Sequence, residues 1–344
     1  MAHRLQRLTS FRPPRTPSFT GSPGRTAGRR RGMRSLLAAT LAATLAVIAL
    51  PLTAMGASAA PDGIVPGQTT HTQPGLVACN GYLYIAWRGD DSAHHLNIEQ
   101  SSDTGGTWSG KTTLIYTSPT DWTGPTLACY LGTMFVVWVG NDYHLRIGYY
   151  SGPGDTTLGE VTTLGDSSDR TPALATFSDG RLYLAWRGTD SSHHLNIEST
   201  SNGVTFSGKV TLNQTAVAGP GLTEWWGPYG DHLYMGYGDP FGFPGTLHVG
   251  YFVSGSNDLA RLSNPGYYVA GSVSLVAYSG LDAFYQGQGQ TAPLRAVQSF
   301  DGQSWSQINC CLETANVDPT AVAYTTHVFI ASTYQGQLYT HKDL

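Results

Sequence analysis

Two sets of side chains in this 344-residue chain could do chemistry. The first gathers acids, arginines and aromatics in the segments that separate short apolar runs: Arg88, Asp90, Asp121 with Trp122, Arg170, Arg187, Asp190, Asp239 near Phe241 and Phe243, Asp282 and Asp318. A sugar stacks its apolar faces on aromatic rings and needs paired hydrogen bonds for its hydroxyls, so this mixture suits a carbohydrate ligand. The second set is one residue, Glu224, followed by Trp225 and Trp226. A lone acid among small uncharged neighbours can have its pKa raised and act as an acid/base, and glycosidases work with a pair of carboxylates. Each candidate also has a plainer alternative. Arg88 and Arg187 occupy equivalent repeated positions and can rigidify their own loops, and Glu224 can be a hydrogen-bonded structural acid. The His94-His95 and His193-His194 pairs have no carboxylate spacing that makes a metal site, and no cysteine has zinc spacing, so neither metal nor cofactor is expected.

The elements that must position these residues are legible from a repeat. The stretch WRGDDSAHHLNIEQSSDTGGTW, Trp87 to Trp108, returns as WRGTDSSHHLNIESTSNGVTF from Trp186 to Phe206. Around it a proline followed thirteen residues later by an aromatic recurs, from Pro74 to Trp87, Pro125 to Trp138 and Pro265 to Tyr278. Looser copies run from Pro172 to Trp186, Pro220 to Tyr237 and Pro319 to Ser332. Six units of roughly fifty residues are within the range for propeller blades. Each unit holds runs such as GLVAC, YLYIAW, HLNIE and KTTLIY, read as four antiparallel strands, A to D. Runs apolar on both faces fit a blade packed between two others. The expected fold is all-β, a six-bladed β-propeller of four-stranded antiparallel blades over residues 60–344. Its last copy ends after a third strand, so residues 61–72 are expected to supply the fourth. On the A strands the fourth position after the proline reads Ala78, Cys129, Thr176, Glu224, Val269 and Ala323, and Glu224 is the one charge in that column.

Residues 101–108, SSDTGGTW, fit S-x-D-x-G-x-T-W at every fixed position. This resembles the Asp-box of the sialidase-like superfamily, also described as the BNR repeat, which implies six-bladed propellers with the box in the C–D turn. The resemblance implies a structural role for Ser101, Asp103, Gly105 and Trp108. Degenerate copies are Ser199 to Phe206, where Ser201 replaces the aspartate, and Ser299 to Trp305 with Asp301 and Trp305. An aspartate accepting turn N–H groups, a glycine at positive φ and an aromatic filling the space between strands account for the box without catalysis. In that family the ligand lies on the face of the B–C loops and D–A linkers, where the first set of candidates falls. The family's Arg-Ile-Pro motif is absent and only seven arginines follow residue 60 apart from lysines, so the sialidase catalytic residues are not carried over. The expected function is carbohydrate binding. Exo-acting glycoside hydrolysis, sialidase-like or arabinanase-like, is the alternative, and a structural surface module the third.

Charge narrows the partners. Residues 1–60 hold nine arginines and no acid, which leaves the rest of the chain with ten basic against 23 acidic residues. So acidic a body repels phosphate backbones, which excludes nucleic acid and favours a neutral glycan. Residues 1–32 read as a disordered basic leader. Residues 33–59 read as an export signal, with an apolar stretch from Leu36 to Met55 and an A-x-A site at Ala57-Ser58-Ala59. Secretion follows if it is cleaved, and residues 36–55 would anchor the chain in a membrane if it is not. Four cysteines in an exported chain allow three pairings, with Cys79 and Cys129 near the ends of corresponding strands and Cys310 and Cys311 adjacent. Mass spectrometry of the exported protein is expected to find an N-terminus at Ala60 or within a residue or two, whereas an intact membrane-bound chain would reverse the assignment to an anchor.

Overall fold

The computed structural model describes residues 63–119, 122–240, 245–288, 293–310, 315–334 and 336–343. A strand β1 (Gly63–Thr69) precedes six blades. Blade one is β2 (Gly75–Cys79), β3 (Tyr82–Arg88), β4 (His95–Ser101) and β5 (Ser109–Thr117), and blade two is β6 (Thr126–Tyr130), β7 (Thr133–Val139), β8 (His144–Tyr150) and β9 (Gly159–Ser167). Blade three is β10 (Ala173–Phe177), β11 (Arg181–Arg187), β12 (His194–Thr200) and β13 (Ser207–Thr215). Blade four is β14 (Gly221–Gly227), β15 (Gly230–Gly238), β16 (Gly245–Phe252) and β17 (Ala260–Ser263), with a short β18 (Tyr268–Val269) on β16. Blade five is β19 (Val273–Ala277), β20 (Leu281–Gln286), β21 (Leu294–Ser299) and β22 (Ser306–Ile308). Blade six is β23 (Thr320–Tyr324), β24 (His327–Tyr334) and β25 (Gln337–Asp343), completed by β1. Adjacent strands within each blade run antiparallel.

The two-sided apolar runs have the reason expected of them. In β7, Met134, Val136 and Trp138 join the core shared with blade one, while Phe135, Val137 and Val139 join the core shared with blade three. In β11, Leu182, Leu184 and Trp186 face blade two and Ala185 faces blade four. Each second strand therefore serves two cores at period two, and truncating one of its buried tryptophans costs roughly 3–5 kcal/mol. The inner strands approach backbone to backbone. A Cβ on Gly75 would lie 2.7 Å from the carbonyl of Pro125, and one on Gly221 2.5 Å from that of Val273. Cys79 and Cys129 form a disulfide between the inner strands of blades one and two, and Cys311 lies outside the described residues.

Closure is as expected from the missing strand. β1 pairs with β25, setting Gly63 against Thr340 and Ile64 against Tyr339, and Val65 enters the core of Phe329, Leu338 and Trp87. Side chains on the last linker and strand continue the seam, with the Gln73 amide donating to Pro319 O at 2.8 Å and the Tyr324 hydroxyl to Gly81 O at 2.7 Å.

The fifth blade departs from the expected spacing. Pro265 leads into β18, whose Val269 is buried against blade four, and the inner strand begins only at Val273. An apolar run at the expected distance thus covers the edge of β16, where Leu247 N donates to Tyr267 O at 2.8 Å. The column of Glu224 accordingly reads Ala277 in place of Val269, and Tyr285 takes the aromatic position assigned to Tyr278.

The C–D turn of blade one is held by its own side chains. Asp103 accepts from the Ser101 hydroxyl at 2.7 Å, Thr107 N at 2.8 Å and the Thr107 hydroxyl at 2.7 Å, and these bonds hold its carboxyl down to about 2. Gly105 has a φ of 85° and donates its N–H to Ser101 Oγ. Trp108 packs at the edge of the core between blades six and one. In blade five Asp301 accepts from Ser304 N and Gln303 N and is likewise held to about 2, while Trp305 Nε1 donates to Ser263 Oγ at 3.0 Å. In blade three the acceptor is Asn202, bonded to Thr200, Val204 and Thr205, so the replacement lies one residue beyond Ser201.

Deleting residues 63–69 is expected to abolish the single cooperative unfolding transition, because it opens β25 and removes Val65 from a core shared with blade one. A truncated protein that melts like the parent would refute the closing role of β1.

Candidate functional site at the mouth of the channel

The blades sort their connections onto two faces. A–B and C–D turns share one, where Asn80 donates to Gly132 O and a Cβ on Gly63 would meet Gly105 O. B–C loops and D–A linkers share the other, where Arg88 Nε donates to Ser118 O at 3.2 Å and Ser168 Oγ to Arg187 O at 2.8 Å. The inner strands surround a central channel between the two faces.

On the second face a cavity of about 180 Å³ is lined by His71, Gln73, Trp122, Arg170, Gln286 and Asp318, among others. Four different D–A linkers and the end of β20 supply these six. Trp122 is 66% exposed, and the Arg170 guanidinium lies 5.2 Å from the centre of its ring. Arg170 is steered by its neighbour, with Nη1 donating to Asp169 O at 2.9 Å. Desolvation lowers its pKa against the pull of Asp169, without threatening its charge. Asp318 is seated against bare backbone, since a Cβ on Gly271 would fall 2.0 Å from Asp318 Oδ1, and its Oδ2 accepts Ser272 N at 2.7 Å. Desolvation pushes that carboxyl up to about 6, although the Ser272 hydrogen bonds and Arg170 pull it down. The Gln73 and Gln286 amides each donate to a linker carbonyl, of Pro319 at 2.8 Å and Ala315 at 2.6 Å. The result is a stacking surface, a cation, a carboxyl that changes from donor to acceptor near pH 6 and two fixed amides, a set able to bind a polyol.

Of the sequence-derived candidates, the cavity brings together Trp122, Arg170 and Asp318, and Asp90 stands beside it on His71 at 2.8 Å. Others are spent on the scaffold. Arg88 is 2% exposed on Ser118, and the buried Arg187 bonds Ala216 O at 2.9 Å and Asp169 Oδ1 at 2.5 Å. Asp190 closes its own loop on Ser192 N, His194 N and His194 Nδ1, and Asp239 does so on Thr246 N and His248 Nε2. Asp282 is not on this face. It pairs with Val276 next to the A–B turn, fully buried, and desolvation raises it to about 6. The cause is the displaced fifth blade, whose second strand begins at Leu281 and ends near Tyr285. Glu224 lines the channel at its other end, accepting Ser178 N at 2.9 Å. Asp121, Phe241 and Phe243 lie outside the described residues. Gln73, Gln286 and His71 are not legible in the sequence because single amides and histidines carry no motif; the one signal is the place of His71 and Gln73 in a D–A linker and of Gln286 at the end of a second strand. Among the described residues no group of three or more His, Cys, Asp or Glu side chains could hold a metal ion.

The fold is shared with proteins of known structure. An α-L-arabinanase from Penicillium chrysogenum, complexed with arabinobiose, matches with a TM-score of 0.57 at 14% identity over 82% of this chain and 95% of that one. AofleA from Arthrobotrys oligospora matches at 0.56 and 10% identity over 82% and 84% of the two chains. The Hadza microbial sialidase Hz136 matches at 0.52 and 16% identity over 79% and 65%. At these identities the likeness is one of fold: a six-bladed propeller with carbohydrate-active neighbours. No protein-family model and no curated protein matches the sequence.

A carboxyl raised in the folded state contributes stability that is present below its unfolded pKa and lost as the pH rises through its folded one. Asp318 and Asp282 both fall in that class, with an unfolded value of about 3.9. The melting temperature is therefore expected to fall between about pH 4 and pH 6, with a smaller fall in Asp318→Asn. A variant whose profile matches the parent's would show that Asp318 is not one of the raised groups.

Proposed function

We propose that this chain is a secreted carbohydrate-binding propeller that takes a neutral glycan at the mouth formed by its D–A linkers. The observation that carries this reading is the exposed ring of Trp122 at the rim of a cavity walled by Arg170, Asp318 and two amides. An apolar sugar face stacks on the indole, the hydroxyls reach the polar walls, and the guanidinium held beside the ring fixes its orientation. The arabinobiose complex of the arabinanase neighbour supports the ligand class. The acidic body, with ten basic against 23 acidic residues beyond residue 60, disfavours an anionic sugar. In the same reading residues 33–59 direct export and residues 101–108 act as a structural Asp-box.

Glycoside hydrolysis is a second reading, favoured by one observation, the Asp318 carboxyl raised to about 6 at the cavity wall. It needs a second carboxylate at roughly 5–5.5 Å for retention or 6.5–9.5 Å for inversion. Among the described residues Asp169 is committed to Arg187 and Arg170, Asp90 to His71, and Glu224 belongs to the opposite mouth. Binding without turnover is the simpler use of the residues present.

A glycan array followed by calorimetry on the best neutral oligosaccharide tests the proposal. Trp122→Ala is expected to weaken binding by about tenfold or more with an unchanged melting temperature. Sialosides, arabinan fragments and aryl glycosides are expected to remain intact. Release of sugar that disappears in Asp318→Asn would establish the hydrolase instead, and neither binding nor release would favour a structural module.

A further inference from the structure

The inner strand of blade four is built differently from its counterparts in blades one, two and three. β14 has seven residues where β2, β6 and β10 have five, and the extra length lifts Trp226 off the A–B face. Its ring is 79% exposed, whereas Trp225 is buried, edge-on to Tyr234 with ring centres 5.2 Å apart. The register of β14 and β15 sets Trp226 against Asp231 and Glu224 against Leu233. Cross-strand partners and residues two apart share one side of a sheet, so Trp226, Asp231 and Glu224 project together. That side faces blade three, because Ser178 N donates to Glu224 Oε1 at 2.9 Å.

The two acids touch. Burial, and then the hydrogen bond and charge of Asp231, raise the Glu224 carboxyl above its ordinary value. Asp231 Oδ1 is buried with no hydrogen-bond partner among the described residues. Such an atom calls for a donor or acceptor that the chain does not provide. Glu224 lines a cavity of about 330 Å³ at this end of the channel, left open by the small residues Ala78, Thr176, Ala277 and Ala323 of other inner strands, and Asp231 and Trp226 stand next to Glu224 outside that lining.

We infer that this mouth of the channel, at the inner end of blade four, is a second glycan-binding site, on the face opposite the first. Trp226 is its stacking surface, and the Glu224–Asp231 pair is its hydrogen-bonding wall. A neutral polyol fits the pair better than a cation does. Hydroxyls donate to carboxyl oxygens while the apolar face of the same molecule stacks on the indole, and among the described residues no group of three or more His, Cys, Asp or Glu side chains could hold a metal ion. The inference takes its ligand class from the proposal for the Trp122 cavity but uses none of that cavity's residues, and one chain would then hold glycans at both ends of its channel.

Fluorine NMR of protein labelled with fluorotryptophan reads the two sites separately, with Trp122→Phe and Trp226→Phe assigning the resonances. The probes are neutral arabino-, xylo- and cello-oligosaccharides. The Trp226 resonance is expected to move to saturation, to do so equally in Trp122→Ala, and to need about tenfold more ligand in Asp231→Ala. Movement at Trp122 with none at Trp226 overturns the second site and leaves the first intact. Movement at Trp226 alone supports the second site while the first fails, and a titration that moves neither overturns both. Calorimetry checks the count independently, since two sites per chain in the parent should become one in Trp226→Ala, whose exposed side chain can be removed without loss of core.

Discussion

Every blade of this protein buries both of its faces, and that is possible only in a closed ring. The pairing of β1 with β25 is the contact on which the rest depends, because it turns the last three-stranded sheet into a blade and hides an edge that would otherwise recruit another chain. Its reach along the sequence, from Gly63 to Thr340, also makes it a contact of high closure cost. The ring compensates through shared cores. Val65 of the closing strand meets Trp87 of blade one and Phe329 of blade six, so the seam is packed like any other boundary between blades.

A closed ring of repeats uses most of its charged residues on itself. In blades one and three the same tasks recur residue for residue. Arg88 and Arg187 tie second strands to the following linkers, Asp91 and Asp190 close loops on His95 and His194, and Asn97 and Asn196 receive the hydroxyls of Thr113 and Thr211. A constellation that appears twice in equivalent places is serving the local chain. Ligand chemistry must then come from positions where the copies differ. Trp122, Asp318, Gln73 and Trp226 are such positions, each found in one blade or linker without a counterpart of the same type in the others.

This explains how much the sequence revealed. The fold was legible because strand period, proline spacing and the missing last strand are all repeated or counted features, and the core tryptophans at 87, 138 and 186 fell where the pattern put them. Blade five was misphased because Pro265 and the apolar Tyr267-Tyr268-Val269 imitate the start of an inner strand while serving as an added edge on blade four. That shift carried Asp282 to the wrong face. The site was only partly legible for a different reason. An aspartate in a B–C loop looks the same in sequence whether it faces a ligand or its own backbone. Asp190 and Asp239 bond backbone N–H groups of their own loops, whereas Asp318, in a D–A linker, bonds Ser272 of another linker and lines the cavity. Glu224 was conspicuous as the charge in its column, which holds in every blade but the fifth, where Ala277 stands in place of Val269; the end of the channel at which the Glu224 carboxyl sits depends on strand direction and on Ser178.

The channel therefore presents an acid at each end, raised by different means. Desolvation dominates at both, but Asp318 is opposed by an arginine and by Ser272, whereas Glu224 is reinforced by a second carboxyl. The first acid can ionise near neutral pH beside a cation, which leaves the Trp122 cavity close to electrically balanced. The second is raised by burial and further by the carboxyl beside it. Both arrangements favour the neutral carboxyl over the charged one. Each mouth thus sets an exposed indole near carboxyl oxygens, and on that pairing the proposed sugar contacts rest.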